Sequence, residues 1–194
     1  MPAFDVLRAY LKERGAFCEE QFDFMRSLFL PRTLESGAFL QRAGDVATHA
    51  AFVARGCLRS YVIDAKGKEH IVMFAPESWW LADVKSLATG TPSQYFYDAI
   101  EESEVLLIDG PSHQKIVENV PEYAASFRTG LQKHAAAKDE RIVHALSTSA
   151  EERYLQFLET YQSIALRVPQ WMLASYLGIS PETLSRIRKN LSRK

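Results

Sequence analysis

The chain has 194 residues, 47% of them hydrophobic and 24% charged, enough to bury one good core or two small ones and unlike the make-up of disordered or fibrous chains. Charges threaded through "MPAFDVLRAYLKERG" exclude a signal peptide, and no apolar run approaches the roughly 20 residues of a bilayer span, so a soluble cytoplasmic protein with no membrane partner is expected. The formal charge of −1 is unevenly placed: residues 1–146 hold 16 Lys+Arg against 20 Asp+Glu and residues 147–194 hold 7 against 4, and a basic end on an acidic body points to a polyanionic partner.

Two amphipathic segments open the chain, at residues 4–14 and 18–28, with Leu7, Tyr10 and Leu11 and then Phe22, Met25 and Leu28 at helical spacing. They are expected to pack as lids on the adjoining part of the chain. Over residues 33–109 the texture becomes β-rich: runs such as "AFVARGCLRSYVI" and "EHIVMFA" alternate with turns at Gly37, Gly44, Gly56 and Gly67, which reads as an antiparallel barrel or roll. Its clearest hairpin is "VIDAKGKEHIVMF", turning at residues 65–68. Pro121 and Glu122 begin a long helix to about residue 146, in which Phe127, Leu131, His134, Lys138, Arg141 and Ala145 form an imperfect heptad seam. Ser149 and Glu152 have the spacing of a capping box, so a new helix starts after a hinge near Ser147. The expected units are therefore residues 1–120, 121–146 and 147–194.

The spacings offer no metal or catalytic chemistry. Cys18 and Cys57 stand far apart, and His49, His70, His113, His134 and His144 are scattered, with no H-x-H or H-E-x-x-H to bring two ring nitrogens onto one ion. No metal, no cofactor and no enzyme activity are expected.

"QWMLASYLGISPETLSRIRK" reads as two helices joined by a tight turn. Ala174 is the small residue where the second helix crosses the first, Gly178 supplies the positive φ of the turn, and Ser180 and Pro181 are the N-cap and first residue of the second helix. Ile179, Leu184, Ile187 and Leu191 dock that helix, which leaves Glu182, Ser185, Arg186 and Lys189 together on its outer side. A helix fits the major groove of double-stranded DNA, where arginine donates twice to guanine, glutamate accepts from cytosine and serine pairs with either kind of group. Glu182, Ser185 and Arg186 are the expected base readers. Ser180, Thr183, Arg188, Lys189, Arg193 and Lys194 are the expected phosphate contacts. Since only three residues follow Leu191, any wing contact must come from residues 164–168.

A β-rich unit, a long helix and a helix-turn-helix ending in "ISPETLSRIRK", together with "ESGAFLQRAGD" and "FVARGCLRSYVIDAKGKEHIVMFAPESWWLAD", resemble the Crp/Fnr family of bacterial transcription regulators over nearly the whole chain. The resemblance implies an α+β fold: an N-terminal jelly roll of the cyclic-nucleotide-binding type with flanking helices, a long dimerisation helix, and a C-terminal helix-turn-helix with a reduced wing. It implies a homodimer reading a palindromic site, with RNA polymerase as a further partner. The E-x-x-S-R pattern on Glu182, Ser185 and Arg186 is similar to the Fnr branch and implies a TTGA-containing half-site, although Pro181 stands where some relatives carry a base-contacting arginine.

The ligand pattern of that family is not kept. Leu81 and Ala82 replace its Gly-Glu pair, Ser93 and Gln94 replace its Arg-Ser pair, and no arginine or lysine lies between Lys85 and Lys115. A buried phosphate without a cation is costly, so binding of cAMP in the familiar manner is not expected. Trp79, Trp80, Tyr95, Phe96 and Tyr97 stand there instead. They either fill the core of a roll that has lost its ligand, the favoured reading, or line an effector pocket built on Trp79, Trp80, Asp83, Tyr95 and Tyr97, with Asp98 as a second polar handle. The alternatives to a cyclic-nucleotide-independent regulator are a cupin-like small-barrel metalloenzyme and a cyclic-nucleotide-responsive regulator of the same family.

Overall fold

A computed structural model of the chain describes residues 2–192, with the side chains of residues 131, 133–138 and 140 left out of the description. Helices α1 (Pro2–Lys12) and α2 (Glu19–Ser27) precede β1 (Leu30–Leu34), β2 (Phe39–Gln41), β3 (His49–Arg55), β4 (Leu58–Ile63), β5 (Glu69–Ala75) and β6 (Trp80–Leu81). A short helix α3 (Val84–Thr89) leads to β7 (Phe96–Ala99) and β8 (Ser103–Asp109). Then come α4 (Gly110–Asn119), α5 (Pro121–Ser147), α6 (Ala150–Thr160), α7 (Gln170–Leu177) and α8 (Pro181–Leu191).

The strands form two four-stranded antiparallel sheets, ordered β1-β8-β3-β6 and β2-β7-β4-β5. Side chains alternate between the faces with a period of two, and β3, β4 and β8 have nearly continuous buried runs because both of their faces are covered. In β3, Ala51 and Val53 point between the sheets, where they meet Leu58, Ala75, Tyr97, Ala99, Val105 and Leu107. Phe52 and Ala54 point the other way, into a core made with Phe4, Leu7 and Leu11 of α1, Phe22 and Met25 of α2, and Ile116 and Tyr123 of α4 and α5. The opening helices are thus lids on the first sheet.

The predicted hairpin is β4–β5, with Val62 opposite His70 and Ile63 opposite Glu69. Its turn is held by Asp64, whose carboxylate accepts from the backbone of Lys66 and Lys68 at 2.8 and 3.0 Å. Gly56, between β3 and β4, has φ of 89° and lies so close to the β7–β8 turn that a Cβ would fall 2.3 Å from Ser103 Oγ and 2.6 Å from the Glu102 carbonyl. No side chain fits there.

The second sheet carries the C-terminal helices. Cys57, Tyr61, Ile71 and Phe74 on its outer face share one apolar core with Tyr154, Phe157, Tyr161, Ile164, Leu173, Leu177, Leu184 and Ile187. The chain does break at residue 148, where Thr148 is extended and Ser149 opens α6 with reciprocal bonds to Glu152. The apolar core does not break there.

The seam expected along α5 is displaced. Arg141 turns onto the roll, donating to the Val72 carbonyl and, at 3.4 Å each, to those of Ile71 and Tyr176. Its neighbours Ile142, Val143 and Leu146 are the apolar side chains left outside, with Ile142 59% and Leu146 85% exposed. One residue along a helix is a turn of about 100°, so counting the stripe through 141 rather than 142 swings its direction by that angle, away from the exposed side. Leu131, His134 and Lys138 of the expected seam lie outside the described side chains.

Candidate nucleic-acid interface

The helix-turn-helix is built from local signals. α7 ends at Gly178, in the left-handed region at φ 69°, and the amides of Gly178 and Ile179 return to the carbonyls of Ser175 and Ala174 at 3.1 and 3.0 Å. This double bond from a left-handed residue is the Schellman way of closing a helix. Ser180 then caps α8: its Oγ accepts from the Thr183 amide at 3.2 Å, with Pro181 at the first helical position.

The two faces of α8 separate as the spacing predicts. Leu184 and Ile187 are buried, with Ile179 and Leu191 partly so, against the core shared with α6 and α7. Glu182, Ser185, Arg186 and Lys189 are exposed, and Thr183 and Arg188 are half-buried at the flank. Among the described residues, no carboxylate pairs with Arg186, Arg188 or Lys189. The Glu182 carboxyl is held below the usual carboxylate range by the Ser180 hydroxyl and its own backbone amide, so it is a charged acceptor at neutral pH. Arg193 and Lys194 lie outside the described residues.

Residues 164–168, from which any wing contact is expected to come, are also packed on the roll. Ile164 and Val168 are buried, and Arg167 reaches back to the roll, to Glu77 and Glu101. Only Leu166 of this segment stands fully outside.

Of the expected effector residues, Trp79, Tyr95 and Tyr97 pack at the core between the sheets, whereas Trp80 lies against the core of the N-terminal helices. Trp79 packs on Tyr161 of the C-terminal helices, with ring centroids 5.2 Å apart, while Trp80 packs on Phe52 and Phe29 beside the N-terminal helices. Adjacent residues of an extended chain face opposite ways, and these two tryptophans obey that rule. Tyr95 and Tyr97 stack at 6.3 Å inside the roll, where burial pushes the Tyr97 phenol well above its ordinary value. Asp98 is on the other face of β7, gripped at 2.7 and 2.9 Å by Arg59. It is not a handle for the roll interior.

Asp83 is inside the roll and already engaged. It caps α3 by accepting from the Ser86 amide at 3.0 Å, and its other oxygen takes the Ser93 hydroxyl at 2.6 Å. Ser93 Oγ in turn accepts from Gln41 Nε2 at 2.7 Å and from the Tyr95 amide at 3.0 Å. Ser93, which the resemblance sets in place of an arginine, is thus bound to an internal carboxylate. Such a carboxylate repels a phosphate rather than holding it. Beside this network, a cavity of about 310 Å³ opens between Gln41, Thr48, His49, Tyr97 and Arg32. Among the described residues, no group of three or more His, Cys, Asp or Glu side chains is placed to hold a metal ion. No helix among them is long and apolar enough to cross a membrane.

Comparison with known proteins agrees with this geometry. Residues 31–120 match the family of cyclic nucleotide-binding domains. Over 167 residues the chain is 26% identical to the probable transcriptional regulator flp of Lacticaseibacillus casei, covering 83% of this chain and 75% of that protein. It is similar to the structure of FixK2 from Bradyrhizobium japonicum, with 20% identity, a TM-score of 0.71 and 85% of each chain covered. It is also similar to the structure of CLP, a c-di-GMP responsive global regulator of Xanthomonas campestris, with 14% identity, a TM-score of 0.72, and 91% of this chain and 92% of that one covered. The class is therefore a cyclic-nucleotide-binding-type roll joined to C-terminal helices. Within that class the chain is similar to transcription regulators of the Crp/Fnr kind.

Proposed function

We propose that the protein is a homodimer that reads a palindromic DNA site through α8 and does so without cAMP. The observation that carries this reading is the outer face of α8: Glu182, Ser185 and Arg186 are exposed side by side, with Arg186 unpaired among the described residues, on a helix whose opposite face is docked. Glu182, Ser185 and Arg186 read bases, and Thr183, Arg188 and Lys189 at the edges of that face meet phosphates, as do Arg193 and Lys194 beyond it. The unit boundaries at residues 120 and 146 belong to the same reading, as does RNA polymerase as the partner through which a bound regulator acts.

Independence from cAMP is supported by the Asp83–Ser93–Gln41 network, which satisfies the end of α3 from within. Selection of bound sequences from random duplexes tests the whole reading. We expect an inverted repeat with half-site centres roughly 34 Å apart, one turn of DNA, recovered equally with and without cAMP. Recovery of unrelated sequences would remove the specific-binding claim, and a repeat that appears only with cAMP would restore the ligand-responsive alternative.

A further inference from the structure

The unit that carries α8 is tied to the roll by two kinds of contact. One is apolar: Phe74 of β5 meets Phe157, Tyr161 and Tyr176 at ring distances of 6.0, 6.1 and 5.4 Å. Burial of this kind holds surfaces together but is non-directional. The other kind is polar and directional, and it sits at the two ends of β5. At the start, Ser175 Oγ of α7 accepts from the Ile71 amide at 3.0 Å and donates to the Glu69 carbonyl at 3.1 Å. Just beyond the other end, Arg167 donates to both oxygens of Glu77 at 2.8 and 3.1 Å and also bonds both oxygens of Glu101. Glu77 and Glu101 come from two different turns of the roll, and Glu77 is itself held by the Gly56 amide at 3.0 Å. A guanidinium gripped by two fixed carboxylates allows one orientation. Arg141 of α5, bonding the Ile71, Val72 and Tyr176 carbonyls, acts at the same end as Ser175; with contacts at that end alone the unit would pivot about it, and with Arg167 at the other end its angle is set.

We propose that Arg167, held between Glu77 and Glu101, is a positioning residue for DNA recognition: this ionic latch sets the angle at which α8 is presented, so that both recognition helices of a dimer meet their half-sites together. The inference rests on the DNA-binding reading above. Because the base-reading face stays exposed while the latch is closed, the latched form is the competent one. The alternative role for Arg167, a direct phosphate contact from the segment before α7, makes opposite predictions for its two carboxylate partners.

The test uses the full chain and two duplexes, one with the selected inverted repeat and one with a single half-site. Arg167→Gln should weaken binding to the repeat about tenfold, the loss expected when the correctly oriented fraction falls to about a tenth, and change half-site binding by less than about twofold. The double variant Glu77→Gln/Glu101→Gln should weaken the repeat similarly, and adding Arg167→Gln to it should cost little more. Arg167→Lys should recover part of the loss. Amide exchange at Ile71 should quicken in the latch variants, since release at one end of β5 loosens the other. If removing the two carboxylates strengthens binding to both duplexes, they act only as charges that repel DNA and the latch is overturned. Equal losses on both duplexes overturn it too, because orientation matters only when two half-sites are engaged. Should Arg167→Gln fail to unfold cooperatively, the carboxylate variant and Arg167→Lys carry the test. Failure of the wild-type chain to prefer the repeat over random duplex would instead remove the DNA-binding reading itself.

Discussion

Arg186 has an exposed guanidinium with no carboxylate partner among the described residues, and it projects from the side of α8 that the core leaves free. A side chain in that state keeps all its donors for a ligand, and the two parallel donors of a guanidinium match guanine O6 and N7. Arg186→Ala should therefore cost about 1–3 kcal/mol on the preferred site and flatten the preference at one base position. Arg188 sits at the flank of the same helix and is half-buried, the place for a phosphate contact. Arg188→Ala should weaken all sequences alike and reduce the salt dependence by about one counterion. Fluorescence anisotropy with the selected duplex and its single-base variants separates the two effects. If Arg186→Ala left the ratio of specific to random binding unchanged, Arg186 would not be a base reader.

Between elements, α4 meets α5 through a histidine whose Nε2 has no hydrogen-bond partner among the described residues. His113 lies edge-on to Phe127 at 4.4 Å and to Tyr123 at 5.7 Å, with its Nε2 buried and unsatisfied. Burial lowers its pKa below 6.5. In the unfolded chain the ring takes a proton as pH falls through about 6.5, whereas the folded protein resists until lower pH. Over that window the unfolded state binds more protons, so stability is lost as pH falls from 6.5 towards the folded value. Thermal unfolding between pH 7.5 and 5 should show this slope, reduced in His113→Leu. Parallel curves for the two proteins would place the acid sensitivity elsewhere.

The elements also differ in how legible they are from sequence. The end of α7 and the start of α8 are encoded within a few residues, since Gly178, Ser180 and Pro181 each act on the backbone beside them. Trp80 leaves the expected aromatic group because adjacent residues of an extended chain diverge, Trp79 towards Tyr161 and the roll interior and Trp80 towards Phe52. Period two places Asp98 opposite Tyr97 and Ala99, a signal that was available. The D-x-x-S spacing of Asp83 and Ser86 also announces the cap of α3. Arg167 had no local signal at all: its partners are 90 and 66 residues away.

At the scale of the whole molecule, the break at residue 148 divides the helices but not the core, because the outer face of the second sheet is covered by the C-terminal helices of the same chain. That face is used up, so on the homodimer reading proposed above a second copy docks elsewhere. α5 offers the place: Arg141 faces inward onto β5, and Ile142, Val143 and Leu146 face outward with nothing from this chain over them. In the proposed homodimer the apolar stripe at this end of α5 is the surface that would pair with its own copy about a two-fold axis, where the same residues meet themselves. Ile142→Glu/Leu146→Glu would set like charges against each other in that interface and is expected to shift the protein from dimer to monomer in light scattering, with an unfolding temperature that no longer rises with protein concentration. Since linkage of two binding units raises affinity by about 10²-fold or more, binding to the inverted repeat should fall by that order while the single half-site is bound as before. A variant that stays dimeric would place the two-fold contact on the part of α5 closer to Pro121.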